Sequence, residues 1–266
     1  MKKTKWIASL FIFCVMSVMC VQFAGYHTRQ QYVEVSKGFS IPVGNYIIMS
    51  CDYDVDCDGK PDQIYAYGEK KNPGSRYAER INLAVVYAKN GFVKKTNVSH
   101  IKGYVCGVEV HDFTGNKNKD ILLKTFTDEN ESVMSVFVAD FGYEIPKNIM
   151  ADSRGISPVF AFADGFVVNC SLLNGQNFAV NIVNKKQILI ENGIYNQEGG
   201  LISNEKVYAN PFSDVKATDS DDDMQCELEG VQKVVAGKNE TELFKIYSTQ
   251  KFSENRWDLI KIEVKY

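Results

Sequence analysis

The sequence predicts an all-β fold, and three observations carry that expectation. Short runs rich in Val, Ile, Tyr and Phe alternate with turn residues from about residue 39 to the C-terminus; no long segment there repeats apolar residues at i, i+3, i+4 and i+7 between two caps; and an acidic nine-residue pattern returns at wide intervals. Many short strands at regular spacing indicate a sandwich, a barrel or a propeller. With 266 residues, 45% of them hydrophobic, the chain can build one large domain or two small ones.

In chain order, the first element is an apolar run over residues 6–25, behind Lys2, Lys3 and Lys5. A helix of that length rises about 30 Å, the thickness of a bilayer core. Residues 1–25 therefore predict a signal peptide or membrane anchor, with the lysines in the cytoplasm and all that follows outside. Cleavage after Ala24 would place Gln22 where signal peptidase wants a small residue, and Met19 stands where a lipoprotein signal carries one before Cys20. An uncleaved anchor fits best, then a cleaved signal, then a lipidated Cys20. Residues 26–38 read as a polar connector and residues 39–266 as the β-domain. Strands are expected near residues 46–50, 63–67, 82–87, 104–110, 121–126, 132–139, 158–163, 166–169, 178–183, 187–190, 242–247 and 259–264.

The charge balance, 30 Lys+Arg against 33 Asp+Glu, offers none of the basic excess that nucleic-acid binding needs. Removing residues 1–25 takes away three lysines and no acid, so the exported part is more acidic still. Five cysteines lie beyond the apolar run, with no C-x-x-C; a Cys51–Cys57 disulfide would suit an oxidising compartment, but spacing does not assign it. His27, His100 and His111 are not spaced with cysteines as zinc ligands. There is no G-x-S-x-G, no H-E-x-x-H and no cysteine with an evident histidine partner, so a hydrolase would have to use paired carboxylates.

The strongest local signal is residues 54–62. Asp54, Asp56, Asp58 and Asp62 fall at loop positions 1, 3, 5 and 9, Gly59 takes the turn position 6, and Lys60 at position 7 offers its carbonyl. Four carboxylates within nine residues repel one another, and a hard divalent cation ringed by oxygens offsets that repulsion. Position 12 is Tyr65 in a strand-like run, so the loop is not an EF-hand. The alternative is a solvated acidic turn. The spacing returns over residues 112–120, with Asp112, Thr114, Asn116, Asn118 and Asp120 at positions 1, 3, 5, 7 and 9; two charges instead of four suit weaker ion binding or a turn held by its own hydrogen bonds. A third copy, residues 219–227, keeps acids at 1, 3, 5 and 9 but has Met224 at the turn position, where positive φ is disfavoured, so an exposed acidic loop is expected there. The three loops start 58 and then 107 residues apart, which suggests a repeat of about 50–60 residues with an acid-free copy near residues 161–174.

At these residues the chain resembles the FG-GAP or VCBS repeat family, whose calcium loops read D-x-[DN]-x-D-G-x-x-D between the strands of propeller blades. Residues 52–68 and 109–126 carry the likeness well and residues 217–232 poorly; the segment from Val110 through Gly115 to Leu122 is also similar to exported proteins of spore-forming bacteria that carry this repeat. The resemblance implies a propeller-like array of antiparallel sheets; the length allows about four repeats, as a closed propeller or equally as an open array. It also implies Ca2+ ligands at Asp54, Asp56, Asp58, Lys60 and Asp62, with Asp112, Thr114, Asn116 and Asp120 following; the loop spacing adds Asn118. The expected function is an extracytoplasmic, membrane-tethered or secreted calcium-binding module with a cell-envelope or protein partner. The competing expectation is a cell-wall or polysaccharide hydrolase with paired carboxylates.

Overall fold

The computed structural model describes residues 32–98, 101–150, 154–203 and 205–266. The apolar run read as a signal or anchor lies outside the described residues. Among the described residues, no helix is long and apolar enough to cross a membrane.

The chain divides into two compact units, residues 1–44 and 45–266. In the first, β1 (Tyr32–Ser36) pairs antiparallel with β2 (Phe39–Pro42) around Gly38 at φ 83°, and Phe39 and Ile41 are buried. Part of the segment expected to be a connector is thus strand.

The second unit holds four antiparallel sheets, each a meander in chain order. The first contains β3 (Asn45–Tyr53), β4 (Asp62–Glu69), β5 (Glu79–Val86) and β6 (Val93–Asn97). The second contains β7 (Tyr104–His111), β8 (Asp120–Phe126), β9 (Met134–Asp140) and the two-residue β10 (Lys147–Asn148). The third has three strands, β11 (Val159–Ala163), β12 (Val167–Ser171) and β13 (Asn177–Asn181). The fourth has the longest strands, β14 (Val207–Thr218), β15 (Glu227–Ala236), β16 (Thr241–Ser253) and β17 (Arg256–Lys265). Each acidic loop joins the first strand of a four-stranded sheet to the second.

Period-two burial shows how the sheets stack. In β8 and β9, Ile121, Leu123, Phe137 and Ala139 join one core with Ile64, Leu83 and Val85 of the first sheet. Leu122, Val136 and Val138, pointing the other way, pack with Phe212, Val215, Leu228 and Phe252 of the fourth sheet. Further along its strands, the same face of the fourth sheet, with Val234, Phe244 and Ile246, covers Val168 and Val180 of the third. The second sheet therefore lies between the first and the fourth, and the fourth packs one face on both the second and the third. No closed ring of blades forms among the described residues.

Two local expectations are corrected. Residues 187–190, expected as a strand, lie in the helix α1 (Lys186–Glu191); Leu189 is its buried residue, and Gly193 at φ 69° ends it with an N–H donated to the Ile190 carbonyl. The sequence also hid β14, because Pro211 interrupts it; the interruption is absorbed by a register shift between Ala209 and Phe212. Gly230, on the neighbouring β15 opposite Val215, is needed there: a Cβ would sit 2.0 Å from the Phe212 ring.

Candidate metal centre

The three acidic loops share one backbone frame. Positions 4 and 6 are left-handed in all three: Cys57 and Gly59 at φ 57° and 88°, Gly115 and Lys117 at 71° and 69°, Asp222 and Met224 at 58° and 71°. The expectation that Met224 would resist this conformation is overturned, because the loop's own hydrogen bonds outweigh the cost of a side chain at positive φ.

Those bonds repeat position by position. In the first loop Asp54 accepts the amides of Asp58 and Gly59 at 3.0 and 2.8 Å, Asp58 accepts that of Lys60 at 2.9 Å, and Asp62 accepts that of Val55 at 3.0 Å. In the second, Asp112 accepts the amides of Gly115 and Lys117, both at 2.7 Å, Asn116 that of Asn118 at 2.7 Å, and Asp120 those of Phe113 and Thr114 at 2.8 and 3.0 Å. In the third, Asp219 accepts the amides of Asp223 and Met224, Asp223 that of Gln225, and Glu227 that of Ser220. Position 1 thus closes the turn and position 9 ties it to the following strand.

In the first loop Asp54, Asp56 and Asp58 each bring a carboxylate oxygen within 4.8 Å of the others. Asp62 is buried, and its second oxygen accepts the Ala88 amide at the end of β5 at 2.9 Å; burial pushes its carboxyl up from the usual range. Lys60 is exposed, its side chain outside the cluster's hydrogen bonds. The donor set is all oxygen and strongly anionic, which fits a hard divalent cation.

The second loop is organised differently. Asp112, Asp120 and Asp140 are all buried, and register places Asp140 of β9 directly opposite Asp120 of β8. Asp140 accepts the Asn116 amide group at 3.1 Å and the Gly142 amide at 2.7 Å. Oδ1 of Asp120 is fully buried without a hydrogen-bond partner. Burial first, then the Asp140 charge, pushes the Asp120 carboxyl well up. Thr114 reaches Asp120 through its hydroxyl at 3.2 Å, whereas Asn118 is exposed and lines a shallow cleft with Asp56 of the first loop. Asp140 was not legible in the sequence; only strand register brings it here.

The third loop also gathers Asp219, Asp221 and Asp223 within 4.8 Å. Lys251 of β16 enters it, its Nζ 2.8 Å from Asp221, 2.7 Å from Asp223 and 3.0 Å from the fully buried Glu227. The three pairings hold the ammonium's pKa above the usual lysine value against the opposing pull of desolvation, and Lys251 holds Asp223 below the usual carboxylate range; Glu227 is held below it, against desolvation, by the Ser220 hydroxyl and amide first and then by Lys251.

The loops touch in series. The Lys119 amide donates to the Val55 carbonyl at 3.3 Å, joining the second loop to the first. The Cys226 amide donates to the Asp112 carbonyl at 2.7 Å, and Gln225 donates through Nε2 to the carbonyls of Phe113 and Phe252, both at 2.7 Å, joining the third loop to the second.

Two cysteine expectations change. Cys51 and Cys57 are both unpaired. A histidine does stand beside a cysteine: Cys226 Sγ lies 3.7 Å from His111 Nδ1, whose Nε2 is 3.5 Å from Glu109. The two side chains are 115 residues apart, so no spacing rule could find them. Burial and the nearby Asp219 raise the thiol's pKa, so the setting opposes the thiolate that nucleophilic chemistry requires.

Residues 159–265, which span β11 to β17 and include the third loop, match the YybI C-terminal domain family. No curated protein matches the chain. No solved structure matches it either.

Proposed function

We propose that this chain is an extracytoplasmic calcium-binding β-module, membrane-tethered or secreted, whose propeller-like array of sheets is an FG-GAP or VCBS-type scaffold presenting a surface to a cell-envelope or protein partner. The observation that carries the reading is the first loop: three carboxylates with oxygens within 4.8 Å of one another, on a turn whose Asp58, Gly59 and Lys60 amides are held by its own carboxylates. Asp54, Asp56, Asp58, Asp62 and the Lys60 carbonyl would hold the ion there. The second loop supports it differently, since the unpartnered, buried Asp120 oxygen between Asp112 and Asp140 is a group that a cation would satisfy. A bound calcium ion supplies charge neutralisation and loop rigidity, with no chemistry of its own.

The physical logic is mass action. Calcium outside cells is abundant enough to fill even weak sites of about 10⁻⁴–10⁻³ M, and an ion that binds only the folded state stabilises it. The placement outside the membrane rests on the lysine-led apolar run of residues 6–25. The test is calcium calorimetry and thermal melting of the full chain, with calcium or chelator. Binding together with a melt raised by calcium, both reduced in the Asp56→Asn/Asp58→Asn double variant by the share of the first loop, is the expected result. No heat and no shift would refute the reading and leave the loops as solvated turns.

A further inference from the structure

We infer that the third acidic loop carries its own cation: the Lys251 ammonium stands where a divalent ion would stand, which makes this copy metal-independent and leaves a divalent-cation site latent beneath it. The inference rests on the cation-loop reading for what the position is, and on the Lys251 contacts for what fills it.

The argument is a comparison of three loops with one frame. Each has a position-9 acid at the start of a sheet's second strand, and each acid faces a residue on the third strand. In the second loop that residue is Asp140, paired with Asp120. In the first, Gln63 pairs with Val86, so the step before it sets Asp62 against Tyr87. In the third, Leu228 pairs with Gln250, so the step before it sets Glu227 against Lys251. The same lattice point therefore holds a phenol, a carboxylate and an ammonium.

Lys251 is not an exposed lysine that leans on the nearest acid. Its side chain is 19% exposed, and its nitrogen meets the acids of positions 3, 5 and 9 together, at 2.8, 2.7 and 3.0 Å. These positions come from both ends of the loop, and a single positive centre within 3 Å of all three is where a loop-bound ion would be required to sit. Glu227 is fully buried and has no cation other than Lys251 among its ion pairs. Because Gln225 and Cys226 of this loop hold carbonyls of the second, a permanent cation also keeps that contact in place when calcium is absent.

The test compares the full chain with its Lys251→Met variant by melting in chelator and in calcium, and by calcium calorimetry. In chelator the variant should melt at least about 5 °C lower, since a buried carboxylate loses its partner. Millimolar calcium should restore most of that loss, and the stoichiometry should rise by one over the parent. A variant that melts like the parent in chelator overturns the inference, as does a loss that calcium does not restore. If Lys251→Met fails to fold, Asp221→Asn decides: with Lys251 in place it should leave calcium stoichiometry unchanged, and loss of one bound ion would show the loop to be metal-filled. A parent that binds no calcium, with a Lys251→Met variant that does, would refute the proposed function and leave this inference standing.

Discussion

Replacing Asp62 by alanine tests whether position 9 is what fastens an acidic loop to its sheet. One Asp62 oxygen accepts the Val55 amide at 3.0 Å and the other accepts the Ala88 amide at 2.9 Å. Val55 is 2% exposed, so its N–H would be orphaned away from water, at about 1–3 kcal/mol. Ala88 is exposed and water replaces the lost acceptor, which leaves a smaller loss of about 1 kcal/mol. Against this, the variant no longer buries a carboxyl that desolvation penalises. The net is about 2 kcal/mol, which lowers the melting temperature by about 4–8 °C in a domain of this size. Asp62→Asn keeps one acceptor oxygen and should lose about half as much. Thermal melts of both variants in chelator separate this fastening from any ion effect. An alanine variant that melts within 1 °C of the parent, or as high as the asparagine variant, would refute the reasoning.

Three further outcomes are expected. The hydrogen bond from His111, together with the Lys124 ammonium, holds the Glu109 carboxyl down at about 2 against an ordinary 4.5. Its folded-state pKa is depressed, so its contribution is full above pH 4.5 and is lost as the pH falls through about 2; Glu109→Gln should remove up to about 3 kcal/mol at neutral pH and flatten the acid limb of a stability-against-pH curve. Gly230→Ala should cost at least about 1–3 kcal/mol in denaturant melts, because the new methyl meets the buried Phe212 ring at 2.0 Å; Phe212→Leu in the same chain should recover part of it. Gln225→Ala removes the Nε2 donor from the Phe113 and Phe252 carbonyls and should speed exchange of the backbone N–H groups in the second loop; unchanged exchange would show that the third loop does not support the second.

What could be read from sequence is what is built within a few residues. The loops over residues 54–62 and 112–120 were legible because the bonds that close their turns join groups two to seven positions apart. The all-β class was legible from period-two runs such as β8, whose alternate side chains enter two different cores. Residues 187–190 misled because a short apolar run suits strand and helix equally, and the Asn192–Gly193 stop decides between them.

The sequence by itself determined the class of secondary structure and the positions of three acidic loops. Tertiary structure alone decided what each loop faces: Asp140 against Asp120, Lys251 among Asp221, Asp223 and Glu227, and His111 beside Cys226. It also decided that the fourth sheet packs one face on both the second and the third. The physical reason is range. A turn's hydrogen bonds are set by the local chain, but whether its charges meet a second acid or an ammonium depends on strand register and sheet packing, and those join residues 20 to 115 positions apart.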